Sequence, residues 1–199
     1  MDEIVLRAIA KWPNVPSVYN WLSLDRRGNW LVKNERIANS AVVDFIGRNY
    51  ERDDQRRWYF QNGPQRVFVN LAYTPFIYRL ESAPGGAELR THTDRFAHEP
   101  SAVWMDEKGD VLVQTELGIG LIIDRDLPLV LERLTTRAGE TLDDSMLERL
   151  IGPSALSGVN VQLRVGGRAL DLQRISSTDV PTRFDFDPAP QPAAGEPDC

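Results

Sequence analysis

Apolar residues along the chain switch between a helical and an alternating spacing, and the switches mark its elements. Ile4, Val5, Ala8, Ile9 and Trp12 recur at helical spacing until Pro13, which cannot continue a helix. A stiff loop, Pro13-Asn14-Val15-Pro16-Ser17-Val18-Tyr19-Asn20, then leads to a hairpin of residues 20–24 against 29–33, turning at Arg26 to Gly28. Residues 38–49 read as a helix: Asn39 or Ser40 can cap it, and Val42, Phe45, Ile46 and Tyr50 share one face. Strands at 57–61, 66–71 and 76–81 follow, separated by Asn62-Gly63-Pro64 and Tyr73-Thr74-Pro75. The predicted order is ββαβββ.

Ser82 to Ala87, with Pro84-Gly85-Gly86, reads as a boundary between halves. Beyond it, strands are predicted at 88–91, 102–105, 111–115 and 120–123. Residues 127–134 favour a helix, with Asp126 as cap and Pro128 in the first turn, although alignment as an internal repeat would make them a strand. A further helix spans 141–151, with Thr141 as cap, Asp143 and Asp144 at the positive end of its dipole, and Gly152-Pro153 as stop. Val159, Val161, Leu163 and Val165, then Leu170 and Leu172, alternate across Gly166-Gly167 as a hairpin. Residues 180–199 hold five prolines, and only Phe184 and Phe186 are large and apolar, so a disordered acidic tail is expected.

Two stretches read alike eighty-one residues apart: Asp25-Arg26-Arg27-Gly28-Asn29-Trp30-Leu31-Val32 and Asp106-Glu107-Lys108-Gly109-Asp110-Val111-Leu112-Val113. Each is a polar turn with Asp and Gly feeding an apolar strand. A second frame, offset by 54, lays Tyr50–Leu80 over Trp104–Leu134 by pattern, with Arg79/Arg133 and Leu80/Leu134 identical. The fold class that follows is α+β, with antiparallel sheets built from a repeated hairpin-plus-helix unit. The predicted domains are a basic, aromatic-rich half at 1–81, an acidic, aliphatic half at 88–179 packed on it, and the tail at 180–199.

Charge sharpens this division. Residues 1–80 hold twelve Lys/Arg against eight Asp/Glu and thirteen of the seventeen aromatics, whereas residues 81–199 hold eleven Lys/Arg against twenty-one acids. The basic half could face an anionic small molecule or a protein partner, or simply complement the acidic half. The one cysteine, Cys199, has no partner for an intramolecular disulfide. The start lacks the basic and apolar regions of a signal peptide, and apolar runs are too short to span a bilayer. A cytoplasmic protein without membrane association is the expectation.

Three groups of residues could carry chemistry. His92, Asp94, His98 and Glu99 gather two imidazoles and two carboxylates that could hold a divalent metal in an open site. Their spacing matches no established metal motif, and a solvated loop is the plainer account. Arg52, Arg56, Arg57 and Arg66 lie among Trp58, Tyr59, Phe60 and Phe68, as in sheets that stack single-stranded nucleic acid. Glu51, Asp53 and Asp54 interrupt them, and a pI near 5.0 argues against nucleic acid. Finally, the loop between Trp12 and Trp21 could present an aromatic, proline-stiffened surface to a partner. Trp12, Tyr19, Arg56, Arg57, Trp58 and Arg66 are therefore the candidate ligand- or partner-binding residues. Gly118-Ile119-Gly120 lacks the third glycine of a dinucleotide loop.

Lys11-Trp12-Pro13-Asn14-Val15-Pro16, Gly28-Asn29-Trp30 and Phe60-Gln61-Asn62-Gly63-Pro64-Gln65-Arg66-Val67 resemble conserved proteobacterial proteins of unknown function. More distantly, the order Gly-x-Trp, helix, paired strands and Pro75-Phe76 is similar to an uncharacterised bacterial family built from repeated antiparallel-sheet-plus-helix motifs, for which a signalling role has been suggested. The resemblance covers residues 11–135 and implies a fold, not a site. The functional expectation is a non-catalytic binding or regulatory module that needs no cofactor, with a metal-dependent enzyme built on the histidine cluster as the alternative.

Overall fold

The computed structural model describes residues 1–83, 86–151 and 161–192. The fold is α+β: among the described residues, fifteen strands form two sheets and five segments are α-helical. Contacts divide the chain into two units. The first holds Met1–Pro75, His92–Asp94 and the chain from Pro181; the second holds Phe76–Thr91 and Arg95–Val180.

In the first unit, α1 (Glu3–Lys11) precedes β1 (Val18–Leu24), β2 (Trp30–Val32) and β3 (Glu35–Arg36). The helix α2 (Ser40–Arg48) then leads to β4 (Tyr50–Arg52), β5 (Trp58–Asn62) and β6 (Gln65–Leu71). Asn39 caps α2 as expected, its Oδ1 accepting from the amides of Ala41 and Val42. Tyr50, predicted on the helix face, instead opens β4. Asn49, fully buried, ends the helix: its Nδ2 donates to the Phe45 carbonyl at 2.9 Å and its Oδ1 accepts from the Asp2 amide at 2.7 Å. That second bond anchors the start of α1, on which only Val5 is buried and Ile4 stays exposed.

The tail is shorter than its composition suggests. Residues 180–192 are ordered, while 193–199 lie outside the described residues. After α5 (Val180–Arg183), Phe186 is buried and its amide donates to the Pro181 carbonyl. The Asp187 amide donates to the Arg56 carbonyl at 2.9 Å, and the Pro188 carbonyl accepts from the Leu71 amide at 2.8 Å. Main-chain hydrogen bonds and the buried side chains of Val180 and Phe186 hold this segment, and composition registers neither.

The second unit runs β7 (Phe76–Ala83), β8 (Gly86–Thr91), β9 (Phe96–Ala97), β10 (Ala102–Met105), β11 (Val111–Thr115) and β12 (Gly118–Ile122). Then come a 3₁₀ turn, α3 (Leu127–Leu131), β13 (Leu134–Thr136), α4 (Asp144–Ile151), β14 (Val161–Val165) and β15 (Arg168–Arg174). β7 pairs parallel with β12 and antiparallel with β8, so the division between units falls at Pro75/Phe76. Residues 127–134 are helix only to Leu131. Asp126 does not cap that helix; its Oδ2 accepts from the Leu80 amide at 2.9 Å. Asp143 rather than Thr141 caps α4, accepting from the Met146 amide at 2.8 Å. The expected signals Pro84-Gly85 and Gly152-Pro153 lie outside the described residues.

The two sheets share an arrangement. The first runs β3-β2-β1-β6-β5-β4, and β1–β6 is its parallel pair. In the second, β12-β11-β10-β15-β14-β13 repeats that order, with β10–β15 parallel and the other neighbours antiparallel. The 81-residue offset places Asp25–Asn29 and Asp106–Asp110 at the same point of this plan. At both, the Asp Oδ1 accepts from the second and fourth following amides, and Gly28 and Gly109 take φ of 78° and 83°. The turn is also a general device of the chain: Asp53–Arg57 forms it with Arg56 at φ 69°. The 54-residue frame lays β4–β6 over β10–β12, which occupy different places in the plan.

Candidate functional site

The alternation of β5 and β6 gives the first sheet two unlike faces. On one, Tyr59, Phe68 and Tyr19 form a buried aromatic row, with Tyr19 stacked on Phe68 at a centroid distance of 4.6 Å. Two of the candidate arginines lie over this row. The Arg57 guanidinium is 4.3 Å from the Phe68 centroid and that of Arg66 is 4.7 Å from Tyr59. Arg57 also bonds Asp53 at 2.8 Å, with both side chains nearly buried, and reaches the Tyr19 hydroxyl at 3.3 Å. Burial pushes the Tyr59 phenol up, against the opposing pull of Arg66.

The remaining arginines are engaged as well. Arg52 and Arg56 both pair with Asp185, at 2.7 and 3.2 Å. Trp58 packs against Tyr50, 4.8 Å between centroids, and Tyr19 is buried. Trp12 is exposed, with the Lys11 ammonium 4.5 Å above its ring. The structure thus joins Tyr19, Arg57 and Arg66 in one packed cluster and leaves Trp12 apart. Arg57→Ala is expected to lower stability by about 2–4 kcal/mol, because it strands the nearly buried Asp53 carboxylate and uncovers Phe68. Denaturant unfolding checks this, and a loss under ~0.5 kcal/mol would show the cluster is not structural.

The four residues of the histidine cluster fall in two units. His92 and Asp94 belong to the first unit, where the His92 ring lies 5.1 Å from Trp30 and 5.7 Å from Tyr50. His98 and Glu99 belong to the second unit, where their amides donate to the two oxygens of Glu116 at 2.8 and 2.9 Å. The His98 ring stacks on Phe96. Among the described residues, no three His, Cys, Asp or Glu side chains gather to hold a metal ion.

The opposite face of the first sheet carries a cavity. Phe60, Val67 and Val18 stand in one row across β5, β6 and β1, and α2 crosses this face with Phe45 edge-on to Phe60. The nine-residue helix leaves part of the sheet uncovered. The result is an open pocket of about 420 Å³, walled by Val18, Leu22 and Val67 of the sheet and by Val42 and Ile46 of α2. Trp21, Val32 and Ile37 line its side, and among the described residues Asn62 and Gln65 are the only polar chain ends in the wall. Trp21, Val32 and Val42 are each at least 40% exposed.

A β-bulge turns Trp21 toward this pocket. Asn20 takes φ 60°, and the β1–β6 register shifts between Val18 and Leu22. The Lys33 ammonium lies 4.0 Å over the indole, fixing it at the rim. Trp21 appears in the sequence only as a flank of the proline loop; the positive φ at Asn20 that redirects it leaves no periodic signal. The exposed apolar residues of α2 were legible, but their partner surface was not.

Residues 1–191 match the model of a family, DUF2944, described as a protein of unknown function (DUF2946). The chain belongs to this family. Its fold is similar to that of a DUF1285 family protein from Silicibacter pomeroyi DSS-3, with a TM-score of 0.54 and 17% identity over 87% of this chain and 96% of that one. A DUF1285 family protein from Shewanella baltica OS155 also matches, at TM-score 0.39 and 14% identity over 58% of this chain and 90% of that one. No curated protein matches. The expected resemblance to uncharacterised families therefore holds for DUF2944, and the first crystal structure supports the fold. Among the described residues, no helix is long and apolar enough to cross a membrane.

Proposed function

We propose that this DUF2944 protein is a binding module of regulatory type, whose first unit takes an uncharged small molecule with an aliphatic or aryl body in the pocket beneath α2. The observation that carries the reading is the pocket itself: about 420 Å³, open, and walled almost wholly by hydrocarbon. Sites for small ligands have this size and this character, with a few polar groups setting orientation. Asn62 and Gln65 supply those groups at one end, as neutral amides that neither demand nor repel charge. The Gln65 Nε2 already donates to the Pro16 carbonyl at 3.1 Å, so its amide oxygen is presented in a fixed direction.

The arginines of the first unit argue against an anionic ligand there, since Arg52, Arg56 and Arg57 have acidic partners within the fold. The shared strand order of the two sheets supports an origin by internal duplication, with the ligand pocket developed in one copy. Nile red, an uncharged and polarity-sensitive probe, tests the reading. Its emission is expected to rise saturably with the protein, and Val42→Lys at the mouth is expected to weaken binding about tenfold by placing a charge against hydrocarbon. Asp44→Lys, two positions along α2 and therefore off the pocket side, is expected to change little. No saturable response, or an unchanged one in Val42→Lys, contradicts the reading.

A further inference from the structure

The second unit is acidic in sequence, yet one of its cavities is cationic. Arg133, Arg164 and Arg168 all line an open pocket of about 450 Å³, and among the described residues no Asp or Glu stands in its wall. Ala87, Val165, Gly167 and Ala169 complete the lining with small or apolar surface.

Strand pairing brings Arg133 and Arg164 together, and Arg168, opposite Val165 in the β14–β15 register, joins the wall from the hairpin's other side. Arg133 immediately precedes β13, and its carbonyl accepts from the Arg164 amide at 3.1 Å, so these two stand side by side on adjacent chains. Arg164 and Arg168 flank the Gly166-Gly167 turn between β14 and β15, whose φ values of 57° and 71° are those of a tight hairpin turn. The placement does not depend on loop conformation.

Among the described residues their guanidinium groups have few partners. Arg133 donates to the Leu129 carbonyl at 2.8 Å and lies 3.8 Å from the exposed carboxylate of Glu132. Arg168 makes one 3.3 Å bond to the Pro100 carbonyl. A guanidinium carries five donors, so one carbonyl bond orients Arg133 and Arg168 and leaves most of their donors for a ligand. Arg164 has no ion pair within the described residues, and Gly139 leaves it room: a Cβ there would come within 3.2 Å of its Nη2. By contrast Arg137, exposed nearby in sequence, is paired with Asp171 at 2.6 Å.

Three permanently charged groups in one concavity repel each other unless an anion sits among them. Planar forks of this kind match the oxygens of a phosphate. The cavity exceeds what a bare inorganic anion needs, and its remaining wall is apolar. Gly167, where nothing lies within 4 Å of an added Cβ, leaves space for a ligand to approach the main chain. We infer that this pocket is a binding site for a small phosphate monoester, with the phosphate held by Arg133, Arg164 and Arg168 and the organic body against Ala87, Val165 and Ala169. The inference is independent of the apolar pocket in the first unit.

Phenyl phosphate is the probe, titrated into the full chain at low salt by calorimetry, beside inorganic phosphate and a short single-stranded oligonucleotide. Saturable binding of phenyl phosphate is expected, weakened about tenfold by Arg164→Gln and again by Arg168→Gln. Both residues are exposed, so the fold should survive, and thermal unfolding of each variant confirms it. Arg137→Gln is expected to leave binding unchanged. Inorganic phosphate should bind more weakly than phenyl phosphate; equal affinity would overturn the organic-body part of the assignment. No binding of phenyl phosphate, equal binding in the double variant, or binding of the oligonucleotide alone would overturn the site.

Discussion

Gly120→Ala is expected to destabilise the second unit by about 3 kcal/mol or more, an effect far beyond an ordinary glycine substitution. A Cβ at Gly120 would fall 2.4 Å from Cδ2 and Cε2 of Tyr78 and 2.9 Å from the Phe76 carbonyl oxygen. Neither neighbour can yield cheaply. Tyr78 is fully buried, and its hydroxyl is held by Thr115 Oγ1 at 2.7 Å and the Gly118 carbonyl at 3.0 Å. Phe76 is the direct partner of Gly120 in the parallel β7–β12 pair. The tyrosine ring thus fills the space that a side chain would occupy on the strand, which is why this Gly-x-Gly segment serves packing and not phosphate binding. In thermal unfolding the midpoint should fall by about 6–12 °C. Gly109→Ala is the contrast: its φ is 83° but nothing lies within 4 Å, so only backbone strain of about 1 kcal/mol is expected. Equal, small effects at both positions would contradict the packing account.

Phe186→Ala is expected to cost about 3 kcal/mol, as for a buried aromatic lost from a core. The residue is 5% exposed in a segment whose backbone bonds to Arg56 and Leu71. Its loss should also release Asp185 from Arg52 and Arg56, removing the pairs that neutralise those arginines. Denaturant unfolding followed by tryptophan fluorescence measures the cost. A change below ~0.5 kcal/mol would return residues 184–192 to the disordered tail that composition suggests.

The elements most legible in the sequence were those with their own punctuation. Asn39 before Val42, Phe45 and Ile46 marked α2, and Gly166-Gly167 between alternating valines and leucines marked the β14–β15 hairpin. Asp25 and Asp106 marked two turns because a side-chain acceptor and a glycine are both local requirements. What was not legible depends on distant partners. Phe76–Glu81 reads like any strand, and only its pairing with β12 assigns it to the second unit. Phe186 stands among prolines and acids, so its burial comes from the surface it meets. The surroundings of the candidate residues were the least legible. Arg57 and Arg66 beside aromatics suggested a ligand face, whereas both cover Phe68 and Tyr59 within the fold. Composition reports that arginines and rings are neighbours and says nothing of which surface they close.

Methyl-resolved NMR with 1-hexanol reads directly whether the cavity beneath α2 receives an uncharged, apolar ligand. Saturable shifts are expected at the methyls of Val18, Val32, Val42 and Ile46 and at the Trp21 indole, all of which line the pocket. The methyls of Val111 and Leu112, buried in the second unit, should not move. Shifts scattered over both units, or none at the pocket, would contradict binding there.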